Sequence, residues 1–130
     1  MFVKVCCIAS IDEARLAVSA GASAIGLVSA MPSGPGPIAE ELIAEIAARV
    51  PAPTETFLLT SLRDAEAIAE QHRRCGTTAL QLVDHVPEPE LKRLRRLAPG
   101  VRLVQVIHVV GPESVDEAGA AAALVDTLLL

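Results

Sequence analysis

From end to end the chain alternates between short apolar runs, of the kind that form buried strands, and amphipathic stretches of helical period. Strand starts recur at intervals of roughly 20 to 30 residues, the length of one βα unit. The runs are Phe2 to Ile8, Ala24 to Ser29, Glu55 to Thr60, Thr78 to Val83, Val101 to Val109 and Val125 to Leu130. Ala24 to Ser29 lacks polar alternation, which predicts burial on both faces. Between the runs lie five helices. Ser10 caps the first, whose face is Ala14, Leu16, Ala17 and Val18 and whose end is Gly21. The second runs from Ala39 to Val50 with Leu42, Ile43 and Ile46 on one side. Ser61 is expected to cap the third, Leu62 to Cys75, before the breaker Gly76. Glu88 to Leu97 and the Ala-rich Glu113 to Ala122 complete the set.

Strands alternating with helices imply a parallel sheet covered by helices. An open doubly wound sheet and a (βα)8 barrel both satisfy that pattern. An open sheet of this size would normally close on a helix, whereas this chain stops in the apolar run Leu128-Leu129-Leu130. The expected architecture is therefore α/β: one partial TIM-barrel domain over residues 1–130, with about six parallel strands and five helices, short of its last two units.

Composition narrows the function. Net charge is −5, and aromatic residues make up 2% with no Trp or Tyr. An acidic surface without stacking platforms argues against a nucleic-acid partner. No apolar run approaches the ~20 residues of a membrane span, and the N-terminus has no signal-peptide pattern. Three cysteines, two of them adjacent, make no disulfide framework and suit a reducing cytoplasm. No metal-ligand spacing is present, and the Pro-Gly loop at 32–37 lacks the Lys-Ser/Thr sequel of a phosphate-cradling P-loop.

Chemistry in such folds sits at the carboxyl ends of the strands. Lys4-Val5-Cys6-Cys7-Ile8 makes Cys6 the first candidate, read either as a reactive thiol or as a small buried hydrophobe. Strand alternation puts Lys4 on the side of Cys6 and sends Cys7 into the opposite face, as core. Asp84, His85 and His108 fall at strand ends on the same rim. Cys75, beside Gly76, reads as structural. His72, Arg73 and Arg74, and the run Lys92 to Arg96, read as solvated helix flanks.

These residues resemble the phosphoribosylanthranilate isomerase family of tryptophan biosynthesis. The family's opening Lys-Val/Ile-Cys-Gly-Ile-Thr is matched by Lys4-Val5-Cys6-Cys7-Ile8-Ala9. Its Ala-Gly-Ala-Asp-Ala-Val/Ile-Gly-Phe-Val is matched by Ala20 to Val28, and its strand-four Val/Leu-Gln-Leu-His-Gly by Leu80-Gln81-Leu82-Val83-Asp84. The sixth strand resembles Val125 to Leu130. The resemblance implies a cytoplasmic isomerase of the aldose–ketose type that performs an Amadori rearrangement without a cofactor on a small phosphorylated substrate. It makes Cys6 the general base and puts the general acid, an Asp, one residue beyond Leu130. With the rim residues above, the expected substrate-side set is Lys4, Ser33, Gln81, Asp84 and His108.

Departures from the pattern are as specific. Cys7 stands for a Gly. The loop Ser33-Gly34-Pro35-Gly36-Pro37 has no Arg, Val83 replaces a His, and Gln105 replaces a strand-five Lys. The family's phosphate loops follow strands seven and eight. Asp126, at the start of its strand, is expected to serve stability. The leading expectation is an isomerase of this family, inactive as the chain stands. The alternatives are a relative acting on another phosphorylated small molecule, and a non-catalytic barrel remnant that assembles through open strand edges into a homo-oligomer.

Overall fold

The computed structural model describes all 130 residues, Met1–Leu130. Along the chain run β1 (Lys4–Val5), α1 (Ile11–Ser19), β2 (Ala24–Val28), α2 (Glu40–Arg49), β3 (Glu55–Thr60), α3 (Ala65–Cys75), β4 (Ala79–Leu82), α4 (Glu88–Leu97), β5 (Arg102–Val106), α5 (Ser114–Ala122) and β6 (Thr127–Leu129). The six strands form one sheet in chain order, and every neighbouring pair is parallel.

Side chains show that the sheet curls. Neighbouring strands lie about 4.8 Å apart, so a flat sheet would separate β1 from β4 by roughly 14 Å. Yet Lys4 of β1 donates from Nζ to Gln81 Oε1 of β4 at 2.7 Å. The Arg102 guanidinium of β5 lies 5.4 Å from the ring centroid of Phe2, just before β1. The concave face is thus the inside of a barrel arc. Ala24, Val28, Phe57, Leu59, Ala79 and Val104 fill it. The convex face carries Ile25, Leu27, Leu58, Leu80, Leu82 and Leu103, buried against Ile43, Ile46, Ile68, Leu91 and Leu94 of the helices. All five residues of β2 are buried, as a strand covered on both faces requires.

The β3 and α4 limits coincide with the sequence expectation; three differences elsewhere have physical causes. α3 begins at Ala65, because Asp64, whose side chain accepts from Ala67 N at 2.9 Å, is the N-cap in place of Ser61. Leu16 is 70% exposed, and α1 buries Ala14 and Ala17 instead. The regular part of β1 shrinks to two residues because Cys7 adopts φ 58°, which breaks the ladder. Pairing with β2 continues on either side: Ser23 N donates to Val3 O, and Ile8 N to Gly26 O at 3.1 Å.

The charged helix flanks also do more than face solvent. Arg74 bonds Glu40 at 2.7 Å and ties α3 to α2. His72 Nε2 lies 2.6 Å from Thr77 O, Arg93 pairs with Glu66, and Arg95 reaches Asp126 across to the start of β6.

Candidate functional site

Strand alternation places Lys4 and Cys6 on the concave side, and two contacts fix that placement. A Cβ added at Gly26, on the concave face of β2, would meet Cys6 Sγ at 2.8 Å and Cys6 Cα at 3.2 Å. Only a glycine lets β1 and its sulfur pack this close. Lys4 Nζ lies 5.4 Å from the centroid of the Phe57 ring and donates to Gln81, which is 5% exposed. One wall of the arc therefore brings together a solvent-accessible thiol, an ammonium and a buried amide. Below them, toward the amino ends of the strands, Arg102 bonds Glu55 at 2.7 Å and Thr127 Oγ1 at 3.5 Å. That layer is filled.

Cys7 is exposed and not core, against expectation. Its positive φ swings the side chain away from the convex core and toward the loop after β2. Its Sγ is 3.8 Å from Pro35 O, and a Cβ on Gly36 would meet that sulfur at 2.8 Å. Partial burial and the neighbouring Cys6 thiol push the Cys7 pKa upward, and Lys4 opposes them. The Cys75 thiol, packed in the convex core, is pushed up to about 11 chiefly by burial. It is structural.

The remaining sequence candidates scatter around the rim. Ser33 is exposed on the loop after β2. Asp84 is half-buried in the β4–α4 loop. His85 Nδ1 lies 3.1 Å from Glu117 Oε1 of α5, and His108 Nε2 lies 2.9 Å from Val83 O, so the first ring ties its loop to a helix and the second braces the β4–α4 loop. Gln105, on the convex side with Leu103, is fully buried and donates from Nε2 to Leu82 O, Asp84 O and Val106 O. Asp126 sits at the amino end of β6, where it accepts from Leu103 N and Arg95. No group of three or more His, Cys, Asp or Glu side chains converges anywhere.

One rim residue escaped the sequence reading. With α3 starting at Ala65, Arg63 lies in the β3–α3 loop, where its Nε donates to His85 O at 2.8 Å. The available signal was Asp64, as good a cap as Ser61 and three residues closer to the apolar face.

No family model matches the sequence. Individual relatives do. An N-(5'-phosphoribosyl)anthranilate isomerase from Rhodospirillum centenum is 34% identical over 129 residues, covering 98% of this chain and 58% of the relative. N-(5'-phosphoribosyl)anthranilate isomerase 2 of Methanosarcina mazei is 29% identical over 131 residues, covering 100% of this chain and 58% of the relative. The family these relatives share is phosphoribosylanthranilate isomerase. The chain spans little more than half the length of the relatives it matches. The fold agrees: the isomerase of Thermotoga maritima superposes with a TM-score of 0.83 at 20% identity over 100% of this chain and 63% of that one. A second phosphoribosyl anthranilate isomerase, solved with reduced 1-(o-carboxyphenylamino)-1-deoxyribulose 5-phosphate, gives 0.79 at 21% identity over 91% of this chain and 59% of that one. The six strands described above are thus a (βα)8-type arc, the fold of these isomerases.

Proposed function

We propose that this chain carries the amino-terminal part of an isomerase active site for N-(5'-phosphoribosyl)anthranilate, acting in tryptophan biosynthesis, with Cys6 as the general base. The observation that carries the reading is the place of Cys6. Its accessible sulfur lies at the carboxyl end of β1 on the concave wall, beside Gly26, in a chain whose relatives are isomerases along its whole length.

The reaction conserves atoms and electrons. Protonation of the ribose ring oxygen breaks its bond to C1 and leaves a C1–nitrogen iminium. The Cys6 thiolate then removes the C2 proton, and the electron pair of that C–H bond moves into C1–C2 to give an enolamine. Return of a proton at C1 and loss of the C2 hydroxyl proton complete the ketone. By resemblance the acid is the residue after Leu130. Continued alternation from Thr127 and Leu129, which pair with Val104 and Val106 on the concave face, directs that position inward.

Lys4, anchored by Gln81, supplies positive charge on the same wall, and Ser33, Asp84 and His108 line the rim around it. A reducing cytoplasm keeps Cys6 and Cys7 as thiols. A homo-oligomer formed through the β1 and β6 edges belongs instead to the alternative reading, a non-catalytic barrel remnant, because strands seven and eight of a closed barrel would cover both edges. A chain extended beyond Leu130 is expected to isomerise the substrate, and Cys6→Ala to lower kcat by about 10²–10⁴-fold with an unchanged melting profile. Activity undiminished in Cys6→Ala would show that the base is another group.

A further inference from the structure

The loops at the carboxyl ends of β1 to β5 contain a single permanently charged cation. Residues 6–10, 29–39, 83–87 and 107–113 include neither Lys nor Arg, whereas residues 61–64 include Arg63. This guanidinium is exposed and takes part in no ion pair. The carboxylates nearest to it in the chain are otherwise engaged. Asp64 accepts from Ala67 N, Glu66 pairs with Arg93, and on α4 Glu90 accepts from Ala65 N. Its Nε–H is committed to His85 O, which holds the plane of the group against the next loop and leaves both terminal nitrogens free. Two parallel N–H groups in one plane match the two oxygens of a carboxylate.

We propose that Arg63 is the specificity residue for the ring carboxylate of the ligand, gripping it through the two terminal nitrogens. The inference rests on the isomerase reading above, since the compound bound in the solved relative carries one carboxyl on its ring and one phosphate on its sugar. Geometry allows both ends to be engaged at once. Lys4 of β1 touches Gln81 of β4, so the hollow is narrow enough for a ligand beside Cys6 to reach the β3 and β4 loops.

The test titrates two probes by calorimetry into the chain extended beyond Leu130, the form expected to isomerise the substrate: reduced 1-(o-carboxyphenylamino)-1-deoxyribulose 5-phosphate, and the same compound without its ring carboxyl. Wild type is expected to prefer the first by about tenfold or more, the scale of a charge-assisted hydrogen-bonded pair. Arg63→Ala should abolish that preference and leave affinity for the second compound unchanged. Arg63→Gln, which keeps a donor for His85 O, should behave like Arg63→Ala, and thermal melts of both should match wild type. A preference that survives in both variants overturns the proposal and leaves the isomerase reading intact. An equal loss for both probes also overturns it, because the guanidinium then serves the phosphate or the sugar. Binding of neither probe by wild type overturns the isomerase reading and this assignment with it.

Discussion

Cys7 holds a backbone conformation that L-residues rarely choose. At φ 58° its Cβ crowds the following carbonyl, at a cost of roughly 1–2 kcal/mol. Glycine occupies this region freely but loses more entropy on folding, roughly 0.5–1 kcal/mol relative to Ala. The difference favours the folded state of Cys7→Gly by up to about 1.5 kcal/mol. Urea denaturation should show this gain in Cys7→Gly and none in Cys7→Ala, which keeps the strained Cβ. An unchanged or lower midpoint in the glycine variant would mean that the sulfur's contact with Pro35 and Gly36 outweighs the strain. Strand alternation made Lys4 and Cys6 legible as a same-side pair, and the curl turned that side into the hollow. The same alternation failed one residue later. A single positive φ inverts the direction of a side chain, and no pattern of apolar residues encodes it at a cysteine.

Elements in this arc are tied at their ends as much as by their faces. Asp126, at the amino end of β6, accepts from Leu103 N of β5 at 2.8 Å and from Arg95 of α4 at 3.1 Å, while Arg95 also donates to Val101 O and Leu124 O. The backbone bond from Leu103, aided by Arg95, holds the Asp126 carboxyl below its usual value of 3.8. A depressed folded pKa binds protons less readily than the unfolded chain does, so its stabilisation is present above pH 3.8 and fades as pH falls through the folded value. Asp126→Ala should therefore cost about 1–3 kcal/mol at neutral pH, the range for stranding a bonded donor. The gap to wild type should narrow in acid, read as paired urea midpoints at pH 7 and below pH 3.8. A gap independent of pH would assign the role to side-chain packing. The sequence located this residue at its strand start, but Arg95, on an apparently solvated run, gave no sign of reaching it. Long-range partners depend on how helices lie across the sheet, which local periodicity does not specify. The same limit explains Leu16: helical period put it among the apolar residues of α1, yet only Ala14 and Ala17 fit close to β2.

At the scale of the molecule, the arc has two edges, and each leaves a row of strand backbone groups unpaired. Both edges are apolar. Phe2, Val3 and Val5 are 55%, 45% and 39% exposed at β1, and Leu129 and Leu130 are 40% and 82% exposed at β6. Outside β1, beside α1, a groove of about 330 Å³ is lined by Val5, Cys7, Ile8, Leu16 and Ala17, among others. Because all strands run parallel, β6 of one copy can lie beside β1 of another and continue the ladder in register, a head-to-tail contact that buries both edges. The net charge of −5 opposes this only weakly at physiological salt, where screening acts over about 8 Å. The 130-residue chain is thus expected to sediment above its monomer mass of 13.6 kDa at tens of micromolar, with a concentration-dependent average. Val5→Lys, which sets a charge on the edge strand without touching the concave wall, should return it toward the monomer. A single species at 13.6 kDa across that range would mean that the two edges do not recognise each other, and that their apolar residues are covered only by further chain.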